Sequence, residues 1–510
     1  MTELSVSSSE SGDSSSNTNA TQSLYANHDV PWLHNFMHNH HSNLVKTALF
    51  FCGLTLLFPL RIGLNGASFC LKRFKLDEEI FSVYVNRFHN AMEMGCMIAV
   101  TLGNIYVLSC GKFMEEISIV INWITFVFEI VLLFVFISGG QLGRLTLFYW
   151  SLVASTFIYG LNQVCAFRIG GKGIVYFMAA MPISGILTSI MQFSFTRLFG
   201  DRNVYDTDLL VIAFQLGVFI FISLITASVW TLAYLEQIVK NKNSNDKDVS
   251  NSNNCKNSDS GKIRVEQNSS DMKKIENGRK NDKKNCSFTA NAISGMLMCI
   301  IGLGIIYAIY PAIAPGQLVT FQYVQKIEMV NMIISALPSL IIAIISETTK
   351  NGPDKPWTES NSFWHGFIVF VIIEVIVGIM FIISLHYKDT ALSRAILRNP
   401  LMASFLTITY FVCHIIAIGV GFPGVEANSN GTVATVNLFL SLLVMNTFEL
   451  LGEGYIVEYK KYSVRNWPTD GMTVSEALQF WIRKASFNAW LSLKSSVTTD
   501  VRKKLLESVT

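Results

Sequence analysis

The amino-acid sequence predicts an all-α polytopic membrane protein with about eleven transmembrane helices in a six-plus-five arrangement. The 510-residue chain is 51% hydrophobic and 15% charged, and its mean hydropathy is +0.40, which is typical of membrane proteins. Its apolar stretches reach the length of about 20 residues that a helix needs to cross a bilayer core. A hydrophilic segment at 237–287 divides these stretches into the two groups.

The apolar stretches follow one another in a regular order. The first group of helices is predicted at 44–68, 89–110, 117–138, 145–167, 173–196 and 208–236. The second group is predicted at 290–313, 326–347, 364–387, 399–421 and 433–457. Two transmembrane regions, 44–236 and 288–458, therefore make up most of the chain. An odd number of spans places the two ends of the chain on opposite sides of the membrane.

Hydrophilic segments precede and divide the apolar regions. Residues 1–43 are rich in Ser and Asn and contain no Lys or Arg, so we expect a disordered tail and an uncleaved first helix. Residues 237–287 are dense in Asn, Lys, Ser and Asp, which predicts a disordered, charged loop in the cytoplasm. The odd helix count then puts the basic tail at 459–510 outside, against the usual charge bias.

The tail at 459–510 contains a predicted amphipathic helix. Thr473 and Glu476 have the spacing of a helix-capping box. Apolar residues recur at helical intervals next to Arg483 and Lys484; they are Leu478, Trp481, Ala485 and Ala489. A basic amphipathic helix of this kind is expected to lie on a membrane surface, and the cytoplasmic leaflet is the favoured one.

Ionisable residues within membrane helices are costly in free energy and usually face a cavity or a partner, which makes them the first candidates for function. Glu129 and Glu374 fall near the middle of apolar stretches, and His414 falls within another. The carboxyl groups of Glu129 and Glu374 have two interpretations: they take part in gating or proton coupling, or they form structural hydrogen bonds between helices. His414 is a further candidate for gating or proton coupling.

Arg61 follows Pro59 in the first predicted helix. A proline frees a backbone carbonyl and bends a membrane helix. The guanidinium group suits a carbonyl-bearing ligand or a carboxylate, so Arg61 either contacts a substrate, pairs with a buried Glu or reaches the interface. The amides of Gln163 and Asn331 present a donor beside an acceptor, which suits a nucleobase edge or a contact between helices.

No residue pattern predicts a catalytic centre, a metal site or a bound cofactor. The sequence has no G-x-S-x-G, no phosphate-cradling glycine loop, no H-E-x-x-H and no C-x-x-C. A membrane-embedded enzyme with His414 and Glu374 as its acid–base pair is a minor alternative. The net charge of +3 gives no reason to expect nucleic-acid binding.

Short motifs resemble the equilibrative nucleoside transporter family. Gly53-Leu-Thr-Leu-Leu-Phe-Pro59 is similar to the family's glycine-threonine-leucine-leucine-proline signature in helix 1. Tyr159-Gly160 and Met178-Ala-Ala-Met-Pro-Ile-Ser-Gly185 resemble its pattern from helix 4 to helix 5. Ile309-Tyr310-Pro311-Ala312 and Val330-Asn331 resemble its motifs in helices 7 and 8.

The resemblance covers about 44–457 and implies bundles of the major-facilitator kind with a central site between them. It implies that Phe58 stacks on a base and that Tyr159, or Gln163 one turn later, takes the place of the family's helix 4 glutamine. Arg61 and Asn331 would supply further polar contacts. Three prolines would shape the bends that open and close the path: Pro59, Pro182 and Pro311.

Some positions depart from the family pattern. The tryptophan that follows the helix 1 proline in the family is Leu60 here. The aspartate and arginine that follow the helix 8 asparagine fall on Ile334 and Pro338. Because that charged pair helps to bind ribose and to couple gating in the family, the departure leaves several substrates open.

The sequence therefore predicts a carrier of nucleosides or nucleobases that works by alternating access, with or without proton coupling, and needs no cofactor. We expect a small-molecule substrate and an integral membrane protein, with the plasma membrane as the expected location. Carriage of another small polar solute is one alternative. A transporter-derived sensor or scaffold that binds a solute without flux is another.

Overall fold

The structure is a computed structural model that describes residues 31–77, 80–254, 290–462, 466–497 and 500–507. Within these residues the regular elements are helical, and eleven helices are long and apolar enough to cross a membrane. The all-α, eleven-helix prediction is thereby confirmed. Residues 1–30 and 255–289, which contain most of the two segments expected to be disordered, lie outside the described residues.

Six membrane helices form the first bundle. Helix α1 is followed directly by two short helical segments, Phe58–Leu60 and Arg61–Asn65. The bounds are α1 Pro31–Leu56, α2 Phe81–Ser109, α3 Met114–Ile137, α4 Leu145–Ile169, α5 Ile174–Phe199 and α6 Thr207–Asn254. Helix α1 packs on α5 and α6, α2 on α4, and α3 on α4 and α6.

Five membrane helices form the second bundle, and two more helices lie in the tail. The membrane helices are α7 Ala292–Ile309, α8 Phe321–Thr348, α9 Ile368–His386, α10 Pro400–Asn428 and α11 Gly431–Tyr459. The tail helices are α12 Val474–Ser496 and α13 Val501–Glu507. Helix α7 packs on α10 and α11, and α10 also packs on α8 and α9.

Two helices extend into segments that were expected to be disordered. Helix α1 begins at Pro31, where proline suits a first helical position because its missing N–H has no partner there in any case. Helix α6 continues to Asn254. No Pro or Gly interrupts the chain between Val218 and Asn254, and each added residue extends an existing helix at little cost.

The alternating direction of the helices defines two ends of the molecule. The carboxyl end of α6 and the amino end of α7 lie at one end, which we call the spacer face. The carboxyl end of α11 lies at the other, which we call the tail face. Side-chain contacts agree with this arrangement, since Arg502 of α13 donates hydrogen bonds to the carbonyls of Phe74 and Leu142.

The tail helix α12 begins with the predicted capping box, because the side chains of Thr473 and Glu476 each bond the other's backbone amide. Three of the four residues of its predicted apolar stripe are covered by protein, whereas Leu478 is 59% exposed. Trp481, Ala485 and Ala489 are buried, and α12 packs on α11. Helical periodicity does not show that α11 covers these three residues, and the placement of α12 on a membrane surface stays a prediction.

The tail connects the two bundles at the tail face. Asn488 of α12 donates hydrogen bonds to the Gly454 carbonyl at 3.2 Å and to Glu458 at 3.1 Å, both on α11. Val501 and Leu505 of α13 are fully buried in the core of the six-helix bundle. Protein contacts thus hold the tail against both bundles.

Candidate functional site

A central cavity of about 370 Å³ lies between the two bundles, within the size range of small-molecule sites. Helices α1, α2, α4 and α5 of the first bundle and α7, α8, α10 and α11 of the second form its wall. The wall reaches Phe81 at the start of α2, Gln317 ahead of α8, and Lys460 after α11. All three positions lie at the tail face, so the cavity extends from the middle of the protein towards that face.

The spacer face is closed by contacts between the bundles. Lys46 of α1 forms an ion pair with Glu347 of α8, with Nζ 2.7 Å from Oε2, and Tyr176 of α5 donates a hydrogen bond to the same carboxylate. Phe167 of α4 and Phe422 of α10 meet edge to face, with ring centroids 4.9 Å apart. Contacts between the bundles therefore close the spacer face, whereas the wall of the cavity continues to residues at the tail face.

Arg61 lies on the cavity wall at the end of the first membrane span. Its Nε is 3.4 Å from Ser184 Oγ, and a Cβ atom at Gly185 would lie 3.2 Å from its guanidinium carbon. Gly185 therefore leaves the space that the guanidinium occupies. Among the described residues, no carboxylate oxygen lies within ion-pair distance of Arg61.

The predicted polar residues Tyr159, Gln163 and Asn331 all lie on the wall. The Tyr159 hydroxyl donates a hydrogen bond to Glu129, and the Cys96 thiol lies 3.9 Å from Gln163 Oε1. Asn331 is almost fully buried, and neither its amide nitrogen nor its oxygen has a hydrogen-bond partner of ordinary geometry among the described residues. The Asn331 amide is therefore available to bind a ligand in the cavity.

Phe58 and Pro59 are buried outside the wall, unlike Pro182 and Pro311, which line it. The ring of Phe58 stacks on Phe219 of α6, with centroids 3.8 Å apart and planes 6° apart. This position does not support the expected stacking of Phe58 on a base, because its ring already packs against α6. Other aromatic residues line the cavity instead: Phe81, Tyr307, Tyr310 and Phe411.

Only one of the three ionisable residues predicted for gating or proton coupling lies on the cavity wall. His414 lines the cavity, and its Nδ1 lies 2.8 Å from the Gly302 carbonyl oxygen. Glu129 and Glu374 are buried and do not line it. Glu129 accepts the hydrogen bond from Tyr159, the arrangement of a contact between helices.

His89 and Glu328, which the sequence prediction did not single out, also lie on the wall, as does Glu93, whose position near a helix end favours snorkelling or interface packing. His89 Nδ1 lies 3.0 Å from Glu449 Oε1, and His89 Nε2 lies 3.7 Å from Glu93 Oε1. The four-residue spacing of His89 and Glu93 places them on one face of a helix. The sequence could have indicated the His89–Glu93 pair from this spacing. It could not have shown that Glu449 of α11 lies next to the pair, because α11 is far away in the chain.

Glu328 shares a helix face with Asn331 and Ser335, and all three line the cavity. Ile334 and Pro338, the positions of the family's charged pair, do not line it. Helix α8 therefore presents a carboxyl group to the cavity one turn before Asn331, whereas the family pattern has its aspartate one turn after.

Comparison with solved structures identifies transporters of similar fold. The proton:xylose symporter XylE of the major facilitator superfamily, bound to 6-bromo-6-deoxy-D-glucose, gives a TM-score of 0.50 at 12% identity, covering 92% of this chain and 99% of that chain. The inward-open xylose transporter XylE from E. coli gives 0.46 at 13% identity, covering 91% and 99%. A bacterial homologue of the iron transporter ferroportin in an outward-facing state gives 0.46 at 9% identity, covering 92% and 99%.

Other comparisons found no relative. No protein-family model matches the chain. No curated protein matches it either. The similarity to solved structures therefore concerns the fold, and this chain has a fold similar to that of major facilitator transporters.

Proposed function

We propose that the protein is a membrane carrier that moves nucleosides or nucleobases across the plasma membrane by alternating access. One observation carries this proposal: a cavity between two bundles extends to residues at the tail face, while contacts between the bundles close the spacer face. Relative motion of the bundles would break the contacts at the spacer face and close the tail face. A solute held by both bundles would then be exposed to the other side.

The chemistry of the wall supports a planar, polar solute. Tyr307, Tyr310 and Phe411 offer aromatic surface for stacking on a base. Arg61 offers a fork of donors, and the Asn331 amide offers a donor and an acceptor side by side. In this proposal Gln163 and Tyr159 complete the polar contacts, while Pro182 and Pro311 shape the mobile segments of the wall.

The test is uptake of labelled adenosine, uridine and hypoxanthine by transporter-deficient cells that express the chain. Accumulation above that of cells with an empty vector is expected for at least one of the three. Replacing Asn331 by Leu should remove this uptake at equal surface expression, while Asn203→Leu, in the exposed loop before α6, serves as the matched control. Lack of uptake of all three solutes by the wild-type protein, with surface expression verified, contradicts the proposal.

A carrier of another small polar solute is the second candidate, and the position of Glu328 favours it. The cavity has a carboxyl group on α8 one turn before Asn331, and the family's charged pair is replaced by Ile334 and Pro338. A solute with a cationic or N–H-rich group would match Glu328, while its anionic or carbonyl group would match Arg61. Uptake of amino acids and sugars, measured in the same cells, separates this candidate from the first.

A sensor or scaffold would bind solute in the same cavity without flux. Thermal stabilisation of the purified protein by uridine or hypoxanthine, without flux in proteoliposomes, would favour that function over transport.

A further inference from the structure

Four ionisable side chains meet where the two bundles touch, and we call them the interface cluster. His89 and Glu93 lie on α2, whereas Glu449 and Glu453 lie on α11. His89 Nδ1 is 3.0 Å from Glu449 Oε1, and His89 Nε2 is 3.7 Å from Glu93 Oε1. Glu453 accepts hydrogen bonds from Asn90 of α2 and, at 3.0 Å, from Ser492 of the tail helix α12.

We propose that the interface cluster binds a proton that is carried together with the solute, so that the protein is a proton-coupled carrier. The proposal rests on the proposed transport function and adds a driving ion to it. It differs from the sequence-based expectation, which placed gating or proton coupling on Glu129, Glu374 and His414. Glu129 and Glu374 do not line the cavity; His414 does, but its Nδ1 lies 2.8 Å from the Gly302 carbonyl oxygen and no carboxylate pairs with it among the described residues.

The charge balance of the cluster favours a bound proton. Three carboxyl groups surround one imidazole, and among the described residues Arg87 of α2 is a further charged group beside them, next to Glu453. Cys96 of α2 lies near Glu93, and Tyr149 of α4 lies near Arg87 and Glu453. Tyr307 of α7 covers the imidazole edge to face, with ring centroids 4.8 Å apart. Even with His89 and Arg87 charged, three carboxylates would leave a net negative charge at membrane depth, and a shared proton removes it.

The cluster also has unused hydrogen-bonding capacity. His89 and Glu449 are 6% and 4% exposed. His89 Nε2 and Glu449 Oε2 have no hydrogen-bond partner among the described residues. A proton on Glu93 or on His89 Nε2 would convert the 3.7 Å contact between them into a hydrogen bond, since the heavy atoms need to approach by less than 1 Å.

The position of the cluster explains how the proton would be coupled to the bundle motion. His89 and Glu93 line the cavity that extends to the tail face, so a proton can reach them by the solute's own path. Their partner Glu449 belongs to the other bundle. Rotation of the bundles changes the separation of His89 and Glu449, so the affinity for the proton differs between the two conformations. By linkage, proton binding then biases which conformation is occupied.

The test uses purified protein in proteoliposomes and whichever of uridine or hypoxanthine shows counterflow, the exchange of labelled outside solute for unlabelled inside solute. Counterflow requires solute binding and bundle motion but no net proton movement. For the wild-type protein we expect an imposed pH gradient to raise accumulation at least threefold, and an uncoupler to abolish that rise. Addition of the solute should also change the lumenal pH, read with a trapped dye.

Glu93→Gln and Glu449→Gln should lose the gradient-driven rise and keep counterflow. Glu116→Gln, at the start of α3 and off the cavity wall, is the matched control and should keep both. Because counterflow itself reports folding, a variant that lacks it is replaced by the aspartate variant at the same site. That variant keeps a titratable group and should retain the gradient-driven rise.

Several outcomes overturn the proposal. They are a wild-type protein with counterflow but no pH-driven rise, a rise driven by sodium instead of protons, and cluster variants that stay coupled. Loss of coupling in Glu129→Gln or Glu374→Gln, with the cluster variants still coupled, would place the proton site elsewhere. Absence of counterflow in the wild type would instead contradict the transport function itself.

Discussion

Lys46 of α1 and Glu347 of α8 form an ion pair across the two bundles, with Lys46 Nζ 2.7 Å from Glu347 Oε2. Their side chains are 33% and 53% exposed, so the pair contributes about 0.2–1 kcal/mol. This small energy is enough to bias a protein whose two conformations are nearly equal in free energy, since about 1 kcal/mol changes a population ratio roughly fivefold.

Charge reversal by Lys46→Glu should weaken closure of the spacer face and lower the population that is open to the tail face. Cys96 lines the cavity, so its reaction with a small water-soluble thiol reagent added at the tail face should slow by up to about fivefold. The double variant Lys46→Glu with Glu347→Lys should restore the wild-type rate. Reversal of the Arg202–Asp208 pair, which lies within the first bundle, is the control and should change nothing.

Gly53 is needed where α1 crosses α5, because a Cβ atom there would lie 2.2 Å from the Phe177 carbonyl oxygen. Gly53→Ala must push the two backbones apart, and we expect a loss of about 1–3 kcal/mol in stability. Gly217 of α6 has no atom within 4 Å of an added Cβ, so Gly217→Ala should leave the melting temperature equal or higher. Melting in detergent measures both, and an unchanged midpoint for Gly53→Ala would contradict this reading.

In the proposed function Arg61 contacts the solute, so lysine at this position should not maintain solute affinity. Loss of charge-assisted hydrogen bonds costs about 1.5–3 kcal/mol each, so we expect KM to rise at least about tenfold in Arg61→Lys and Arg61→Ala. The measurement is initial uptake at several solute concentrations. Arg202→Lys, away from the wall, is the control. A normal KM in Arg61→Lys would instead favour the interpretation in which Arg61 serves only as a buried charge.

The tail should be a structural part of the first bundle. Leu505 is 0% exposed in the core of that bundle, whereas its neighbour Leu506 is 46% exposed. Leu505→Ala should therefore cost about 2–5 kcal/mol of local stability, and protease should cleave the tail faster. Leu506→Ala should leave the cleavage rate unchanged. Equal cleavage of both variants would show that α13 is not docked.

The capping box of α12 should depend on pH. The backbone amide of Thr473 donates a hydrogen bond to Glu476, which lowers the pKa of this carboxyl below its usual value. Because the folded-state pKa is depressed, the stabilisation is present above the ordinary glutamate pKa and is lost as the pH falls through the folded-state value. Amide exchange in the first turn of α12 should therefore accelerate at acidic pH in the wild type, after correction for intrinsic rates. Thr473→Ala should show fast exchange at neutral pH already.

Several residues of the candidate site could be predicted from the sequence around them. Arg61, Gln163 and Asn331 were selected as polar groups within apolar stretches, and all three line the cavity. A polar group in a membrane helix avoids lipid, so this selection already favours residues that face protein or a cavity. The same logic selected Glu129 and Glu374, which face protein instead of the cavity.

The sequence by itself determined the fold class, the helix count and the six-plus-five division, because the length and polarity of a stretch decide whether it can cross a bilayer. Only the tertiary structure decided which face of each helix meets its neighbours. That choice buries Phe58 against Phe219, sets Glu449 beside His89, and gives the tail helix a protein partner. Such contacts join residues far apart in the chain, and a local pattern of hydrophobicity carries no information about which helices become neighbours.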